Sequence, residues 1–155
     1  KLLSRRAAIE DGFKNIRLDF ERFRKISQRV LVIAFVHLRV SAHCLIRRDG
    51  EVVQYVPFDK RAWHAGVSSY HGRERCNDFS IGIELEGTDN LPYTDAQYQQ
   101  LAAVTRTLIE LYPSIANNMT GHSDIAPQRK TDPGPAFDWA RFRALVAGSS
   151  EKEMP

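Results

Sequence analysis

The chain has 155 residues, of which 43% are hydrophobic and 26% are charged, a composition typical of one globular domain with one hydrophobic core. No stretch approaches the ~18 apolar residues of a membrane span, and the first residues lack the apolar segment of a signal peptide. We therefore expect neither a membrane anchor nor a secretion signal. Two cysteines are too few for a disulfide framework and favour the cytoplasm.

The net charge of +3 is unevenly distributed. Residues 1–36 contain nine basic and four acidic residues, whereas the rest of the chain contains 13 basic and 15 acidic residues. A basic helix can bind nucleic acid or anionic lipid. The segment lacks the aromatic or glycine-rich interleaving of nucleic-acid readers, so we interpret its charges as a solvated face. We expect no nucleic acid and no membrane among the partners.

The first predicted elements are a helix over residues 5–28 and a buried strand over residues 30–36. The helix is predicted because apolar residues recur at spacings of three and four, namely at Ile9, Phe13, Ile16, Phe20 and Phe23. Next, residues 40–47 and 51–56 flank an Asp49-Gly50 pair, which predicts a β-hairpin. Residues 58–78 have no periodicity and are predicted to form a long functional loop.

Residues 79–86 alternate and predict another strand. Thr94 and Asp95 begin a predicted helix whose apolar spacing continues to Leu111, with Pro113 just beyond its end. Residues 117–136 are predicted to form a second long loop, and residues 137–146 a final helix. The predicted organisation is a basic helix and strand over residues 1–36, one domain over 37–147 and a flexible tail over 148–155.

Three polar positions suggest chemistry. His122 and Asp132 lie in one predicted loop, and imidazole and carboxylate are both ligands that Zn²⁺ accepts. The alternative is a loop histidine and a surface Asp-Pro turn. Glu84 lies opposite Ile83 and Leu85 on its strand, so it points either into a cleft, where it could be a general base, or simply to solvent.

Several sequence motifs occur together in one order. They are Val40-Ser41-Ala42-His43, Ala62-Trp63-His64-Ala65-Gly66, Ser80-Ile81-Gly82-Ile83-Glu84, Gly121-His122-Ser123-Asp124-Ile125-Ala126-Pro127 and Lys130-Thr131-Asp132-Pro133-Gly134. From about residue 37 to 146 the chain resembles the amidase_2 family. The family includes phage amidases and peptidoglycan recognition proteins, and the resemblance is greatest to its cytoplasmic 1,6-anhydro-N-acetylmuramoyl-L-alanine amidases.

The resemblance implies an α/β fold with a central mixed β-sheet flanked by helices. It implies Zn²⁺ bound by His122 and Asp132, with Glu84 and Lys130 as catalytic residues. The implied reaction is hydrolysis of the amide between (anhydro-)N-acetylmuramic acid and L-alanine in peptidoglycan recycling, by a cytoplasmic monomer whose partner is an anhydro-muropeptide. The implied substrate-binding residues are Arg39, Trp63, His64 and Arg75, where the arginines would pair with stem-peptide carboxylates. The alternative for the two arginines is surface charge.

The sequence departs from the family pattern at the N-terminus. The family's first strand ends in a His-Asn that supplies a further zinc ligand, and no His-Asn follows the predicted strand at residues 30–36. His37 and His43 could approach the metal or could be ordinary core histidines. Two ligands are fewer than a catalytic zinc site has, which predicts a folded protein with weak zinc binding and low or no amidase activity. The alternative function is a non-catalytic muropeptide-binding module.

Overall fold

The computed structural model of the protein describes residues 2–4, 30–32 and 42–148. The predicted helix at 5–28, as well as His37, Arg39 and the tail beyond 148, lie outside these residues. Among the described residues, no helix has both the length and the apolar character that a membrane span requires.

Six strands of the described residues form the main sheet. They are β1 (Leu2–Ser4), β2 (Val30–Val32), β3 (Cys44–Ile46), β4 (Val52–Gln54), β7 (Ser80–Leu85) and β8 (Met119–Thr120), in the order β2-β4-β3-β7-β1-β8. The strand pairs β2–β4 and β3–β7 are parallel, whereas β3–β4, β1–β7 and β1–β8 are antiparallel. The sheet is therefore mixed, as expected.

Helices cover one face of this sheet. Helix α1 (Asp95–Leu111) and helix α3 (Trp139–Val146) join the main apolar cluster, which includes Ile81 and Ile83 of β7. Thr94 begins α1 with a capping box, in which its hydroxyl accepts from the Gln97 N–H and the Gln97 side chain accepts from the Thr94 N–H. The predicted fold class, a mixed sheet flanked by helices, is confirmed.

The predicted hairpin around Asp49-Gly50 is also confirmed, although its strands are shorter. Cys44 pairs with Gln54, and the Gly50 N–H donates to the Arg47 carbonyl at 2.9 Å. The final helix begins at Trp139, two residues later than predicted, because the Asp138 side chain caps it by accepting from the Arg141 N–H.

Both predicted long loops contain regular structure, so that part of the prediction is wrong. Residues 58–78 include a small hairpin, β5 (Ser69–Tyr70) with β6 (Arg73–Glu74), whose turn places His71 and Gly72 at positive φ, and a 3-10 turn, Cys76–Asp78. Residues 117–136 include β8 and helix α2 (His122–Ile125). Strands of two residues carry too few side chains to show a period.

Strand β1 is not expected from the sequence, and it lies beside β8, the strand that leads into the candidate site. The strand lies between β7 and β8, with Leu2 paired with both Gly82 and Thr120. By contrast, β2, which the sequence suggested as the counterpart of the family's first strand, pairs with β4 at the far end of the sheet order. The sheet position beside β7 and β8 is therefore taken by β1.

Candidate active site

The candidate site lies where β8 passes into helix α2. The Asp124 carboxylate begins α2 by accepting from the Gly121 N–H at 2.8 Å and from the Thr120 hydroxyl at 2.7 Å. These bonds fix the single turn on which His122 lies. The His122 side chain is 11% exposed and the Asp132 side chain 42%, so the two form the wall of an accessible site.

His122 and Asp132 are brought together. The Nδ1 of His122 is 3.2 Å from Oδ2 of Asp132, and the Ser123 N–H donates to the Asp132 carbonyl at 2.9 Å. The other ring nitrogen of His122, Nε2, is 3.1 Å from the Ala65 carbonyl oxygen. The hydrogen bond from His122 holds the pKa of the Asp132 carboxyl below its ordinary value, against an opposing effect of burial.

This geometry fits two ligands of a zinc ion. Two donor atoms at ~2.1 Å from one tetrahedral zinc lie about 3.4 Å apart, close to the observed separation of His122 and Asp132. A neutral imidazole has one N–H, yet His122 faces an acceptor at each nitrogen. A cation at Nδ1, either a proton or a metal, satisfies both, and a backbone carbonyl on Nε2 is the usual partner of a metal-binding histidine.

A third ligand is not found in the part of the chain that the structure describes, where no three His, Cys, Asp or Glu side chains are grouped to hold a metal. His43 is fully buried, its Nδ1 accepts from the Gly82 N–H at 3.0 Å, and its Nε2 is 3.0 Å from the Lys60 carbonyl. His43 is therefore a core histidine that joins β3 to β7. His37 lies outside the described residues.

The turn that carries Asp132 is held from a neighbouring loop. The Thr131 hydroxyl donates to the Asp89 carboxylate, and the Tyr93 hydroxyl donates to the Pro133 carbonyl at 3.0 Å. The backbone of Asp89 lies so close to Gly134 that a side chain at Gly134 would overlap it. These contacts have no local signal in the sequence, and they hold the Asp132 turn independently of His122.

Glu84 lies on the site face of β7. Ile83 is fully buried and Leu85 packs against the main apolar cluster, whereas Glu84 is exposed. Gly82 shares the face of Glu84, and the His64 ring lies over Gly82 so closely that a side chain there would overlap it. Since the next residue, Ala65, contacts His122, Glu84 lies on the same face of the sheet as the His122–Asp132 pair.

Lys130 begins the turn on the other side of the pair. It is half-buried, and its N–H donates to the Ala126 carbonyl at 3.0 Å, which places it two residues before Asp132. The Lys130 backbone therefore lies at the start of the turn that carries Asp132.

A groove of about 840 Å³ begins beside the site, lined by residues that include Trp63, Val67, Arg75, Ile125 and Arg129. Trp63 is 52% exposed, and the Arg61 guanidinium lies 3.6 Å from its ring centre. Asp78 joins Arg61 and Arg75, with Nε–Oδ distances of 2.6 and 3.1 Å. Two expected substrate residues, Trp63 and Arg75, thus line one groove. Arg61 and Asp78 link them, and neither of these two residues was expected from the sequence.

His64 has a different environment from its neighbour Trp63. Its ring packs over Gly82, and its Nε2 is 3.5 Å from the Ser80 hydroxyl. Burial, reinforced by His43, lowers the pKa of His64 to about 3, so the ring is neutral. The His64 side chain therefore packs on strand β7, and Arg39, the remaining expected substrate residue, lies outside the described residues.

Solved amidase structures share the fold of this chain. A crystal structure of a selenomethionine AmpD derivative superposes with a TM-score of 0.69 at 88% identity, covering 71% of this chain and 62% of that one. The complex of the E. coli amidase AmiD with the substrate anhydro-N-acetylmuramic acid-L-Ala-D-gamma-Glu-L-Lys gives 0.65 at 34% identity, covering 76% and 56%.

The chain belongs to the Amidase_2 family, described as N-acetylmuramoyl-L-alanine amidase, which matches residues 11–135. This match begins further towards the N-terminus than the motifs suggested. The 1,6-anhydro-N-acetylmuramyl-L-alanine amidase AmpD of Salmonella typhimurium is 87% identical over 118 residues, which are 76% of this chain and 63% of that protein. The chain thus spans less than two thirds of the length of this relative.

Proposed function

We propose that the protein is a zinc-dependent amidase that hydrolyses the bond between (anhydro-)N-acetylmuramic acid and the L-alanine of a stem peptide, in the cytoplasmic recycling of peptidoglycan. The observation that carries the proposal is the His122–Asp132 pair, whose donor atoms are 3.2 Å apart while the Ala65 carbonyl faces the other ring nitrogen. The names of the similar proteins support the substrate class.

The proposed roles of the residues rest on the family resemblance together with their positions. Bound zinc would polarise the scissile carbonyl and lower the pKa of a water molecule. Glu84, on the site face of β7, would accept a proton from the attacking water and pass it to the leaving amine. Lys130, two residues before Asp132, would stabilise the negative charge that develops on the carbonyl oxygen.

The groove would bind the substrate. Trp63 offers an exposed aromatic face, which suits a sugar ring, and Arg75 offers a guanidinium, which suits a stem-peptide carboxylate. His64 would support the wall beneath Trp63. Arg39 would be a second carboxylate partner on the basis of the resemblance alone.

A second candidate function is a muropeptide-binding module without catalysis. The observation that favours it is the lack of a third ligand among the described residues. Catalytic zinc sites have three protein ligands, so a two-ligand site would hold the ion weakly. The two functions differ in whether the bound amide is cut.

The test uses the whole chain with an anhydro-muropeptide, with excess zinc and with a chelator, and detects products by mass spectrometry. We expect zinc-dependent release of the free peptide. The variant His122→Asn should lose this activity, whereas His71→Asn should keep it, because His71 is exposed in the turn between β5 and β6. Muropeptide binding without cleavage at any zinc concentration would establish the binding module instead.

A further inference from the structure

Arg129 lines the groove, and its side chain binds backbone carbonyl oxygens of the loop that contacts His122. It lies between His122 and Asp132 in the sequence, four residues after α2 ends at Ile125. Its guanidinium nitrogen Nη2 donates to two carbonyl oxygens, that of Ala65 at 2.6 Å and that of Val67 at 2.9 Å. A charged donor makes these bonds stronger than those between neutral groups.

The Ala65 carbonyl is shared. The oxygen that accepts from Arg129 also lies 3.1 Å from Nε2 of His122, and a carbonyl oxygen has two lone pairs, so it can accept from both. The backbone just before this carbonyl is also held, because the buried Asn77 side chain accepts from the N–H groups of His64 and Ala65 at 3.0 and 2.8 Å. Asn77 thus holds the two peptides that precede the Ala65 carbonyl, and Arg129 holds the Ala65–Gly66 peptide to which that carbonyl belongs.

Gly66 provides a second, independent indication of the contact. Its φ is +60°, and a Cβ at this position would lie 3.0 Å from Nη2 and 3.2 Å from Cζ of Arg129. The guanidinium thus packs directly on the loop backbone at a residue that has no side chain and adopts a left-handed conformation. A side chain at Gly66 would crowd the guanidinium and would be strained by the left-handed backbone.

We propose that Arg129 is a positioning residue for His122: it holds the Ala65 carbonyl in the orientation that keeps the imidazole Nε2–H donated and Nδ1 directed at Asp132. The role of Nδ1 in binding the metal rests on the proposed function. The rival role for Arg129 is direct binding of a substrate carboxylate, because the residue also lines the groove.

The test measures hydrogen exchange of the His122 Nε2–H proton by NMR, in the metal-free protein, for Arg129→Met and Arg129→Lys. Arg106→Met is the matched control, since Arg106 also donates to a backbone carbonyl, that of Leu145 at 2.6 Å, but lies on α1 away from the site. We expect exchange about tenfold faster in Arg129→Met, because one charged hydrogen bond is lost, and a smaller acceleration in Arg129→Lys, which can reach one carbonyl. The control should match the wild type.

Zinc affinity gives the second readout. Loss of a group that orders a metal ligand weakens metal binding by ~10–100-fold. Because Arg129 acts on His122 through the Ala65 carbonyl, we expect the lower end of this range, about a tenfold loss of zinc affinity, in Arg129→Met. We expect no loss of zinc affinity in Arg106→Met. Unchanged Nε2–H exchange in Arg129→Met, or a rise in KM with unchanged exchange and zinc affinity, would overturn the positioning role. If Arg129→Met fails to fold, the same criterion applies to Arg129→Lys.

The two proposals can fail separately. The exchange measurement uses neither zinc nor muropeptide, so it decides the role of Arg129 even for a chain that does not cleave its substrate. The wild-type chain could bind no zinc and still show slow exchange of the Nε2–H proton that becomes faster in Arg129→Met. This result would overturn the proposed function and support the positioning role of Arg129.

Discussion

The two faces of the central sheet are built in different ways. On one face, β7 packs Ile81 and Ile83 against fully buried residues of α1 such as Leu101 and Leu108. The other face has a small apolar cluster beneath the site loops, formed by Ala65, Cys76, Phe79, Ile125 and Ala126. This face also has hydrogen bonds in which the buried side chains of Asn77 and His43 accept from backbone N–H groups.

This difference separates stability from chemistry. Apolar packing contributes free energy roughly in proportion to buried area and is not directional. Hydrogen bonds to backbone groups contribute less net stability but fix direction, which a site of metal ligands requires. We therefore expect changes on the helical face to lower the free energy of unfolding, and changes on the site face to alter activity or pH response first.

The largest expected effect is on activity alone. Glu84→Gln should reduce amide cleavage by about 10²–10⁴-fold, because a glutamine cannot accept the proton of the attacking water. Glu84 is exposed, so the free energy of unfolding should remain within about 0.5 kcal/mol of the wild type. Turnover and urea denaturation measure the two effects. An equally large loss of stability would contradict the assignment of Glu84 to the site face.

Leu101→Ala is the reciprocal change on the helical face. Leu101 is fully buried in the main cluster, so its truncation should lower the free energy of unfolding by about 2–5 kcal/mol. Cleavage per folded molecule and zinc affinity should stay at wild-type levels at a temperature where the variant is folded. A change in zinc affinity without a change in stability would show that the two faces are not separate.

His64 should make stability depend on pH. Its pKa is lowered from 6.5 to about 3 in the folded protein, so between these values the unfolded chain binds more protons than the folded one. Stability should therefore fall as the pH is lowered below ~6.5, by about 2–3 kcal/mol at pH ~4.5, and this residue should contribute no pH dependence above ~7. His64→Gln cannot titrate and should show a flatter profile in denaturation between these pH values. Parallel profiles for both proteins would contradict the burial of His64.

The smallest effect is expected at the turn that carries Asp132. Tyr93→Phe removes the hydroxyl that donates to the Pro133 carbonyl at 3.0 Å, which should cost about 0.5–1.5 kcal/mol of stability. The aromatic contacts of Tyr93 with Tyr98 and Phe137 are retained in this variant. Zinc affinity should weaken by only a few fold, since the contacts of Asp89 with the turn persist. A titration with zinc alone checks this, and a complete loss of binding would make Tyr93 a primary support of the site.

The motifs predicted the candidate site residues better than the chain's own periodicity did. His122 and Asp132 were singled out because their residue types suit zinc, and the structure brings their side chains together. Arg61, Asp78 and Arg129 were missed, because a single arginine or aspartate in an irregular segment gives no local signal. The roles of all the expected site residues stay predictions, namely those of Arg39, Trp63, His64, Arg75, Glu84, His122, Lys130 and Asp132.

Local patterns by themselves determined the elements that local physics controls. The Asp49-Gly50 turn, the helix start at Thr94 and the alternation of Ile81, Ile83 and Leu85 are effects of neighbouring residues, and each is found as predicted. Only the tertiary structure decided that β1 lies between β7 and β8, and that the Ala65 carbonyl meets both His122 and Arg129. Those contacts join residues more than 50 positions apart, and their geometry depends on how the whole chain packs.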